Sequence, residues 1–340
     1  MGSIAQRQAL YFTAPGRVEV RSEPRPHPAG DELLVQTLYS AISPGTERLI
    51  YRGEFPAGLP ADETIAALSG DLAYPLKYGY AAVGQVIAAG RLVDPAWLGR
   101  LVFAFNPHES HFVARPDTVQ PLPAGADPPT AAMLPNMETA VSLAMDGQPV
   151  IGERVAVVGQ GVVGLLLTSL LAQMPLADLV SFDIYPRRRA LALASGAAAC
   201  WPPDEAVTAL WDRWPTGADL VYEVSGSPAG LDLAIQLAGF AGRVIIGSWY
   251  GRKRANLDLG GTFHRRHQQL TSSQVSQLAP RWRGRWTHAR RLELAWTMLA
   301  RTRPGALITH RLPLAQAATA YHLLDEAPDE ALQIVLQYET

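Results

Sequence analysis

The sequence predicts an α/β protein in which a β-rich first domain precedes a doubly wound parallel-sheet domain. Three observations predict this arrangement. Short β-branched or alternating apolar runs, separated by Pro and Gly, fill the first third of the chain. After Asp127, apolar strands alternate with helical stretches, as in a parallel sheet that is covered on both faces. One of these strands, at 154–158, runs directly into a glycine-rich turn.

The first domain is expected to cover residues 1–126. Its predicted strands lie at 9–13, 18–22, 32–41, 83–89, 101–105 and 111–114. Strands of this length and spacing, with turn residues between them, are typical of a small barrel or sandwich.

The second domain is expected to cover residues 127–300. Strands are predicted at 154–158, 179–182, 220–224 and 243–247, and helices at 162–173, 187–195 and 228–237, with a further helix at 289–301. Residues 301–340 are expected to return to the first domain through a strand at 307–311, a helix at 315–325 and a strand at 332–337.

Composition excludes several classes of function. The chain of 340 residues carries 29 Lys and Arg against 31 Asp and Glu, which argues against a nucleic-acid or membrane-surface partner. Cys200 is the one cysteine, so neither an intrachain disulfide nor a cysteine cluster for a metal can form. The first ten residues lack the apolar core of a signal peptide, and the apolar stretch at 161–174 is too short to span a bilayer. We therefore predict a soluble cytoplasmic protein.

The glycine-rich turn is the strongest single motif. Gly159, Gly161 and Gly164 form Gly-x-Gly-x-x-Gly between a strand and a helix. In a dinucleotide site the first glycine permits the tight turn, the second lets the backbone approach the pyrophosphate, and the third packs helix against strand. Ordinary turns also match this pattern, but the surrounding βα units favour cofactor binding. Val162 and Val163, which open the helix, are predicted to contact the phosphates.

Asp183 ends the next predicted strand. A carboxylate at this distance from the turn accepts hydrogen bonds from the adenosine ribose, which favours NAD over NADP. Arg188, within the run 187–189, could instead bind the 2′-phosphate of NADP. NADP is therefore the alternative cofactor, and a solvated first helical turn is the structural alternative for these arginines.

Further segments give the chain a family resemblance. The segments 41–47 (AISPGTE), 78–84 (YGYAAVG), 222–226 (YEVSG) and 312–317 (LPLAQA) resemble motifs of the medium-chain dehydrogenase/reductase superfamily. The resemblance implies a GroES-like catalytic domain, a Rossmann domain, oxidoreductase activity and a homodimer. Segments 134–140 (LPNMETA) and 272–275 (SSQV) resemble the bacteriochlorophyllide dehydrogenase branch, which implies a bulky or aromatic alcohol or ketone as the small-molecule substrate.

The sequence departs from the zinc-dependent members of this superfamily at each ligand position. The cysteine position falls on Pro44 or Ser43, the histidine position on Tyr80, and the third region offers Pro135 and Asn136. Zinc requires thiolate, imidazole or carboxylate donors. We therefore predict that the chain binds no metal.

Four residues are candidates for the proton chemistry that would replace zinc. The resemblance implies that Thr46 relays the proton of the substrate alcohol, although a helix cap explains it equally well. Tyr80 takes the place of the zinc-binding imidazole, and a buried structural tyrosine is the alternative. Glu138 could be an acid, a base or only a helix-terminal carboxylate. His108 could relay a proton or serve structure alone.

The remaining predicted cofactor contacts follow later strands. Residues after a strand at the carboxyl edge of the sheet lie near the nicotinamide half of the cofactor, and the resemblance adds the segment near 272. These residues are Ser225, Gly226, Gly247, Ser248, Trp249, Ser272, Ser273 and Gln274.

Three functional hypotheses follow. The first is a zinc-independent oxidoreductase that transfers a hydride between NAD(H) and a bulky alcohol or ketone. The second is an NADPH-dependent, quinone-type enoyl reductase that acts on an activated C=C bond. The third is a catalytically inactive nucleotide-binding protein, because a fold does not by itself fix a function.

Overall fold

The structure, a computed structural model, describes residues 5–339. The chain divides into two compact units, one formed by the chain up to Pro135 together with the chain from Arg303 onward, and the other by Asn136–Thr302. The sequence places the first boundary earlier, at 126/127. The difference arises because the short helix Pro128–Ala131 packs on strands of the first unit.

The strands and helices are numbered in chain order. The strands are β1 (Gln6–Ala14), β2 (Arg17–Pro24), β3 (Leu33–Ala41), β4 (Ala82–Ala89), β5 (Leu101–Ala104), β6 (His111–Ala114), β7 (Val119–Pro121), β8 (Arg154–Val158), β9 (Asp178–Phe182), β10 (Ala199–Trp201), β11 (Ala218–Glu223), β12 (Ala238–Ile246), β13 (Gln269–Ser272), β14 (Ile308–Pro313) and β15 (Gln333–Gln337). The α-helices are α1 (Pro44–Arg52), α2 (Pro128–Ala131), α3 (Leu134–Gly147), α4 (Val162–Leu171), α5 (Pro186–Ala194), α6 (Pro203–Arg213), α7 (Pro228–Leu237), α8 (His288–Thr302) and α9 (Ala317–Glu326).

The first unit contains a seven-stranded sheet in the order β14-β15-β3-β4-β5-β7, with β6 also paired to β3. All of these pairs are antiparallel except β14–β15. β1 and β2 form a separate antiparallel hairpin. The last strand returns to the start of the unit, where Leu336 lies opposite Ser40 of β3. This is a GroES-like arrangement, as the sequence predicts.

The core of the first unit lies under α1 and α9. Its buried members include Leu10, Phe12, Ile42, Ile50 and Tyr321. α1 begins with a proline at its first position, where the missing N–H costs nothing. It ends at Gly53 in the left-handed conformation, a common helix stop. Packing against this core holds α1 in place, and with it the candidate residue Thr46 in the first turn of the helix.

The second unit contains a six-stranded parallel sheet in the order β10-β9-β8-β11-β12-β13. Counted from β8, this is the order 3-2-1-4-5-6 of the Rossmann fold. The buried residues of β8 are all apolar, and those of β9 and β11 are apolar except for Ser181 and Glu223, because helices cover both faces of the sheet. The predicted Rossmann fold is confirmed. No helix within residues 5–339 is long and apolar enough to cross a membrane.

Candidate functional site

The glycine turn joins β8 to α4 in the second unit. Gly159 has φ +97°, a conformation that glycine adopts without strain. A Cβ on Gly159 would lie 2.5 Å from the Cα of Ser225, and a Cβ on Gly164 would lie 2.0 Å from the carbonyl oxygen of Gly159. These two glycines are therefore required by the fold itself.

Gly161 differs from both. It has φ −70° at the N-cap of α4, and a Cβ there would meet nothing within 4 Å. No side chain caps the first turn of α4 at this residue, so its backbone N–H groups and the helix dipole can serve an anion. The open space at Gly161 fits a pyrophosphate. Val162, which follows, is buried, and Val163 is partly exposed.

Asp183 follows β9 beside this turn. Its Oδ2 accepts a hydrogen bond from the backbone N–H of Gln160 at 2.7 Å, and its Oδ1 accepts one from that of Tyr185 at 2.8 Å. The carboxylate is thereby held against the glycine turn. Each carboxylate oxygen can accept a further bond, so Asp183 fits the hydroxyls of a ribose.

The arginines after Asp183 are arranged differently from one another. The guanidinium of Arg188 lies over the ring of Tyr185, 4.7 Å from its centroid. Arg189 donates to the carbonyl oxygens of Asp183 and Ile184, each at 3.0 Å. The side chain of Arg189 therefore stabilises the loop that carries Asp183.

The other predicted cofactor residues follow β11, β12 and β13 at the same carboxyl edge of the sheet. The N–H of Gly226 donates to Oγ of Ser248 at 2.8 Å, which joins the loop after β11 to the loop after β12. Trp249 is 37% exposed, and Gly247 directly follows β12. In a doubly wound sheet this edge, where strand order reverses, is the place at which ligands bind.

The segment after β13 is held inside the second unit. Oγ of Ser273 donates to Oδ2 of Asp146 at 2.7 Å. Gln274 donates to Oγ of Ser276 at 2.9 Å, and Ser272 is the last residue of β13. β13 therefore ends at a fixed position beside α3.

Glu223 is a residue of this edge that the sequence reasoning missed. It ends β11 and is fully buried. Its Oε1 accepts from the N–H of Ser225 at 2.8 Å and from its Oγ at 2.5 Å, and its Oε2 accepts from the hydroxyl of Tyr250. The available signal was an acidic residue at a strand end, the same feature that indicates Asp183.

Glu138 lies on α3 and pairs with Arg291 of α8, with 2.9 Å between Oε1 and Nη2. Both side chains are buried, and Arg291 also donates to the carbonyl oxygen of Val275. Burial raises the pKa of Glu138, while the nearby guanidinium acts in the opposite direction. This ion pair holds α3 to α8 and is the structural alternative to a role in acid–base chemistry.

Three hydroxyls meet in the first unit. Ser43 is the N-cap of α1, and Tyr80 donates a hydrogen bond to its Oγ at 2.6 Å. Thr46, in the first turn of α1, is also hydrogen-bonded to Tyr80. All three residues are partly exposed. We call Ser43, Thr46 and Tyr80 the hydroxyl cluster.

The phenol of Tyr80 is protonated at neutral pH. Burial raises its pKa to about 12, although the hydrogen bonds with Ser43 and Thr46 act to lower it. A phenol in this state donates a hydrogen bond and holds a proton. The cluster can therefore present O–H groups to an oxygen atom of a ligand.

His108 lies behind the cluster and is fully buried. Its Nδ1 is 2.7 Å from Oγ of Ser40, and its Nε2 is 2.9 Å from Oε2 of Glu47. Both ring nitrogens are thus occupied by protein groups. The structure brings Thr46 and Tyr80 into contact. His108 is instead fully buried and is hydrogen-bonded to Ser40 and Glu47.

Comparisons with known proteins agree with this architecture. No family model matches the chain. A 2-desacetyl-2-hydroxyethyl bacteriochlorophyllide A dehydrogenase from Rhodobacter capsulatus is 24% identical over 98% of the chain and 99% of its own length. A 2-dehydro-3-deoxy-L-galactonate 5-dehydrogenase from Pseudoalteromonas atlantica is 29% identical over 140 residues, and the match spans 41% of each protein.

Solved structures share the whole fold. A 2R,3R-butanediol dehydrogenase from Bacillus subtilis has a TM-score of 0.78 at 16% identity and covers 97% of the chain and 99% of its own. A protein described as a short chain alcohol dehydrogenase from Escherichia coli, solved with NADH, has a TM-score of 0.79 at 18% identity and covers 98% of the chain and 99% of its own. The match to the bacteriochlorophyllide A dehydrogenase in sequence, and to the solved dehydrogenases in fold, extends from end to end of the chain. The chain is therefore similar throughout its length to members of the medium-chain dehydrogenase/reductase superfamily.

The sequence resemblance aligns the zinc-ligand positions of zinc-dependent dehydrogenases with Pro44 or Ser43 and with Tyr80. The hydroxyls of Ser43 and Tyr80 are hydrogen-bonded to each other, and the neighbouring Pro44 and Ala81 offer no side-chain donor. Neutral hydroxyls replace neither a thiolate nor an imidazole. Among residues 5–339, no group of three or more His, Cys, Asp or Glu side chains is placed to hold a metal ion.

Proposed function

We propose that this chain is an oxidoreductase that transfers a hydride between NAD(H) and a bulky alcohol or ketone without zinc. The observation that carries the proposal is the glycine turn at a Rossmann switch point, with open space at Gly161. The names of the matched relatives, all dehydrogenases, support oxidoreductase activity. When bound, the nicotinamide supplies or accepts the hydride.

NAD is the preferred cofactor in this proposal. Asp183 is held beside the turn, where its carboxylate would accept bonds from ribose hydroxyls and repel a 2′-phosphate. Arg189 is already occupied by two carbonyl oxygens. Among solved neighbours, one contains NADH and another, from Sinorhizobium meliloti, contains NADP. The second has a TM-score of 0.77 at 19% identity and covers 98% of this chain and 99% of its own. NADP is therefore the alternative cofactor to be tested.

In this proposal, the hydroxyl cluster interacts with the substrate oxygen, which the zinc ion does in zinc-dependent dehydrogenases. In ketone reduction, carbon accepts the hydride while oxygen needs a hydrogen-bond donor and then a proton. Tyr80 holds its proton at neutral pH, with a pKa of about 12, and it would donate to that oxygen by exchanging its hydrogen bond to Ser43 for one to the substrate. Thr46 and Ser43 orient the phenol, and the proton that Tyr80 gives up is replaced from solvent through their partly exposed hydroxyls. Glu138 is assigned to its ion pair with Arg291 in this proposal.

A bulky aromatic substrate and a homodimer complete the proposal. Trp249 and Tyr250 follow β12 at the ligand-binding edge of the sheet, which favours an apolar substrate. β13 pairs only with β12 among the described strands, so its outer edge can pair with a second copy of the chain.

A substrate screen tests the reaction class. Turnover of benzil, a bulky diketone, and of chalcone, a bulky enone, should be followed by cofactor absorbance with NADH and NADPH side by side. We expect benzil with NADH to be preferred. Preference for chalcone with NADPH would favour an enoyl reductase, and nucleotide binding without any turnover would favour an inactive binding protein. Stoichiometric zinc that is needed for activity would overturn zinc independence.

Tyr80→Phe tests the hydroxyl chemistry. Loss of a positioned general acid lowers rates by roughly 10²- to 10⁴-fold, and we expect kcat/KM for benzil to fall by that amount while NADH affinity is unchanged. Tyr74→Phe is a matched control, because burial also raises the pKa of Tyr74 to about 12 but its hydroxyl donates to the carbonyl of Ile50. Equal activity of the two variants would remove Tyr80 from the mechanism.

A further inference from the structure

Glu47 is a carboxylate buried completely within the first unit. It accepts three hydrogen bonds, from the N–H of Ser43 at 2.7 Å, from the hydroxyl of Tyr321 at 2.5 Å and from His108 at 2.9 Å. A buried carboxylate is costly unless donors surround it. The chain therefore supplies three donors to hold this one group, which the proposed chemistry does not use.

The three donors come from separate segments of the chain. Ser43 is the N-cap of α1, and it carries the Oγ to which Tyr80 donates. Tyr321 lies on α9, and His108 follows β5. Glu47 thus connects the start of α1 to two other parts of the first unit through a single carboxylate.

His108 also determines where the Tyr80 segment lies. Gly79 has φ +109°, and a Cβ on it would lie 2.6 Å from the His108 ring. The ring therefore packs directly against the backbone that precedes Tyr80. The N–H of His108 also points to the carbonyl oxygen of Tyr78, at 3.4 Å.

We propose that Glu47 and His108 form a positioning pair, which sets the Ser43 and Tyr80 hydroxyls at the distance that proton transfer requires. Glu47 fixes Ser43 through its amide, and His108 fixes the backbone beside Tyr80 while it orients Glu47. The inference rests on the proposed role of Tyr80, which it extends with two residues that do not contact the substrate.

The direction of the hydrogen bonds supports positioning over proton relay. A carboxylate only accepts, so Nε2 of His108 carries a hydrogen, and in the neutral ring Nδ1 accepts from Ser40. Glu47 contacts the amide of Ser43, whereas Tyr80 contacts its Oγ. These two hydrogen bonds share no hydroxyl proton, so the pair cannot relay a proton to Tyr80 through Ser43. It can only fix the position of the Tyr80 hydroxyl.

A double-mutant cycle tests this inference. Misplacing a reacting group by about 1 Å can reduce a rate by up to roughly 100-fold, so Glu47→Gln should lower kcat/KM for benzil by about 10- to 100-fold. If Glu47 acts through the phenol, the same substitution in the Tyr80→Phe background should change kcat/KM by less than about twofold, because residues that share one hydrogen-bond network are non-additive. NADH affinity, read by fluorescence, should be the same in all four proteins.

Each outcome has a distinct meaning. Equal losses from Glu47→Gln in both backgrounds would indicate general destabilisation and overturn the positioning pair alone. No loss from Tyr80→Phe would overturn the proposed function itself. If Glu47→Gln does not fold, Tyr321→Phe, which removes one donor and keeps the carboxylate, should show the same non-additivity.

Glu109→Gln is the matched control for this cycle. Glu109 is also a buried carboxylate of the first unit, but it pairs with Arg7 at 3.0 Å and Lys77 at 2.6 Å. Its substitution should lower the thermal midpoint and leave kcat/KM within about twofold, since its partners do not touch the hydroxyl cluster. A loss of activity as large as that of Glu47→Gln would contradict the assignment.

Discussion

Gly161 is a residue that the fold does not require to be glycine, although binding of a pyrophosphate would require it. A methyl group there meets no protein atom, and its φ of −70° is open to any residue. Gly161→Ala should therefore change stability by no more than about 1 kcal/mol, because a less flexible unfolded chain offsets the loss of a favourable N-cap residue. The methyl would occupy the space that a pyrophosphate needs, so NADH affinity should fall by at least about tenfold, or 1.4 kcal/mol.

The neighbouring glycine provides the contrast. Gly159→Ala should lower the thermal midpoint, because its φ is +97° and its Cβ would overlap Ser225. The two variants are compared by thermal unfolding and by NADH fluorescence titration. A Gly161→Ala protein that binds NADH normally would mean that the cofactor does not approach the turn.

Site residues could be predicted from the sequence where their partners are close along the chain, and not where their partners are far away. The glycine turn and Asp183 could be predicted because their spacing lies within one βα unit. Glu47 could not, since its partner His108 is 61 residues away and its partner Tyr321 is 274 residues away. The pairing of Glu138 with Arg291 was likewise hidden, because 153 residues separate them.

The β1–β2 hairpin is held to the first unit by a network of charges centred on Glu23. Arg7 lies 2.8 Å and Lys77 lies 2.9 Å from its carboxylate, and Tyr11 also donates to it. Burial alone would raise the pKa of Glu23, but the bonds from Lys77, Tyr11 and Arg7 lower it to about 2. The ionised carboxylate is thus an anchor of this element.

The lowered pKa of Glu23 predicts a pH dependence of stability. Since its pKa is about 2 in the folded chain against 4.5 as the ordinary value, its contribution is fully present above pH 4.5 and is lost as the pH falls through 2. Glu23→Gln should therefore cost about 1–3 kcal/mol at pH 7, with the difference from wild type shrinking below pH 4. Urea midpoints at a series of pH values measure this change.

Glu19→Gln is the control on the same strand. Glu19 pairs with Arg17 and Arg21 at the surface, where ion pairs contribute roughly 0–1 kcal/mol. We expect little change from this variant at any pH. An effect of Glu23→Gln no larger than that of Glu19→Gln would show that the hairpin is held by its apolar side chains alone.

Several elements with a strong apolar pattern were predicted with nearly their observed bounds, although the largely buried helix α3 was missed. The helix α7 has the predicted bounds of 228–237. β13 was missed because its sequence, QLTS, is mostly polar and becomes a strand by pairing with β12. α6 was also missed, although the proline at its start is a signal for a helix N-terminus.

At the scale of the whole molecule, the two units differ in how the chain builds them. The Rossmann unit is one continuous segment with its own buried core, to which Val158, Phe182, Leu210 and Val244 belong. The GroES-like unit needs both ends of the chain, because β15 pairs with β3. The sheet of this unit is complete only when β15, which lies near the carboxyl end of the sequence, has paired with β3.

This difference predicts that the segment 134–302 folds and binds NADH by itself. All predicted nucleotide contacts, from Gly159 to Gln274, lie within it. The excised segment should show cooperative thermal unfolding and bind NADH within about tenfold of the full chain, a change of 1.4 kcal/mol. NADH at 100 times its Kd should stabilise the segment by about 2.7 kcal/mol, since only the folded state binds. A folded segment without NADH affinity would show that the nucleotide site needs residues of the GroES-like unit, and the glycine turn alone would no longer account for cofactor binding.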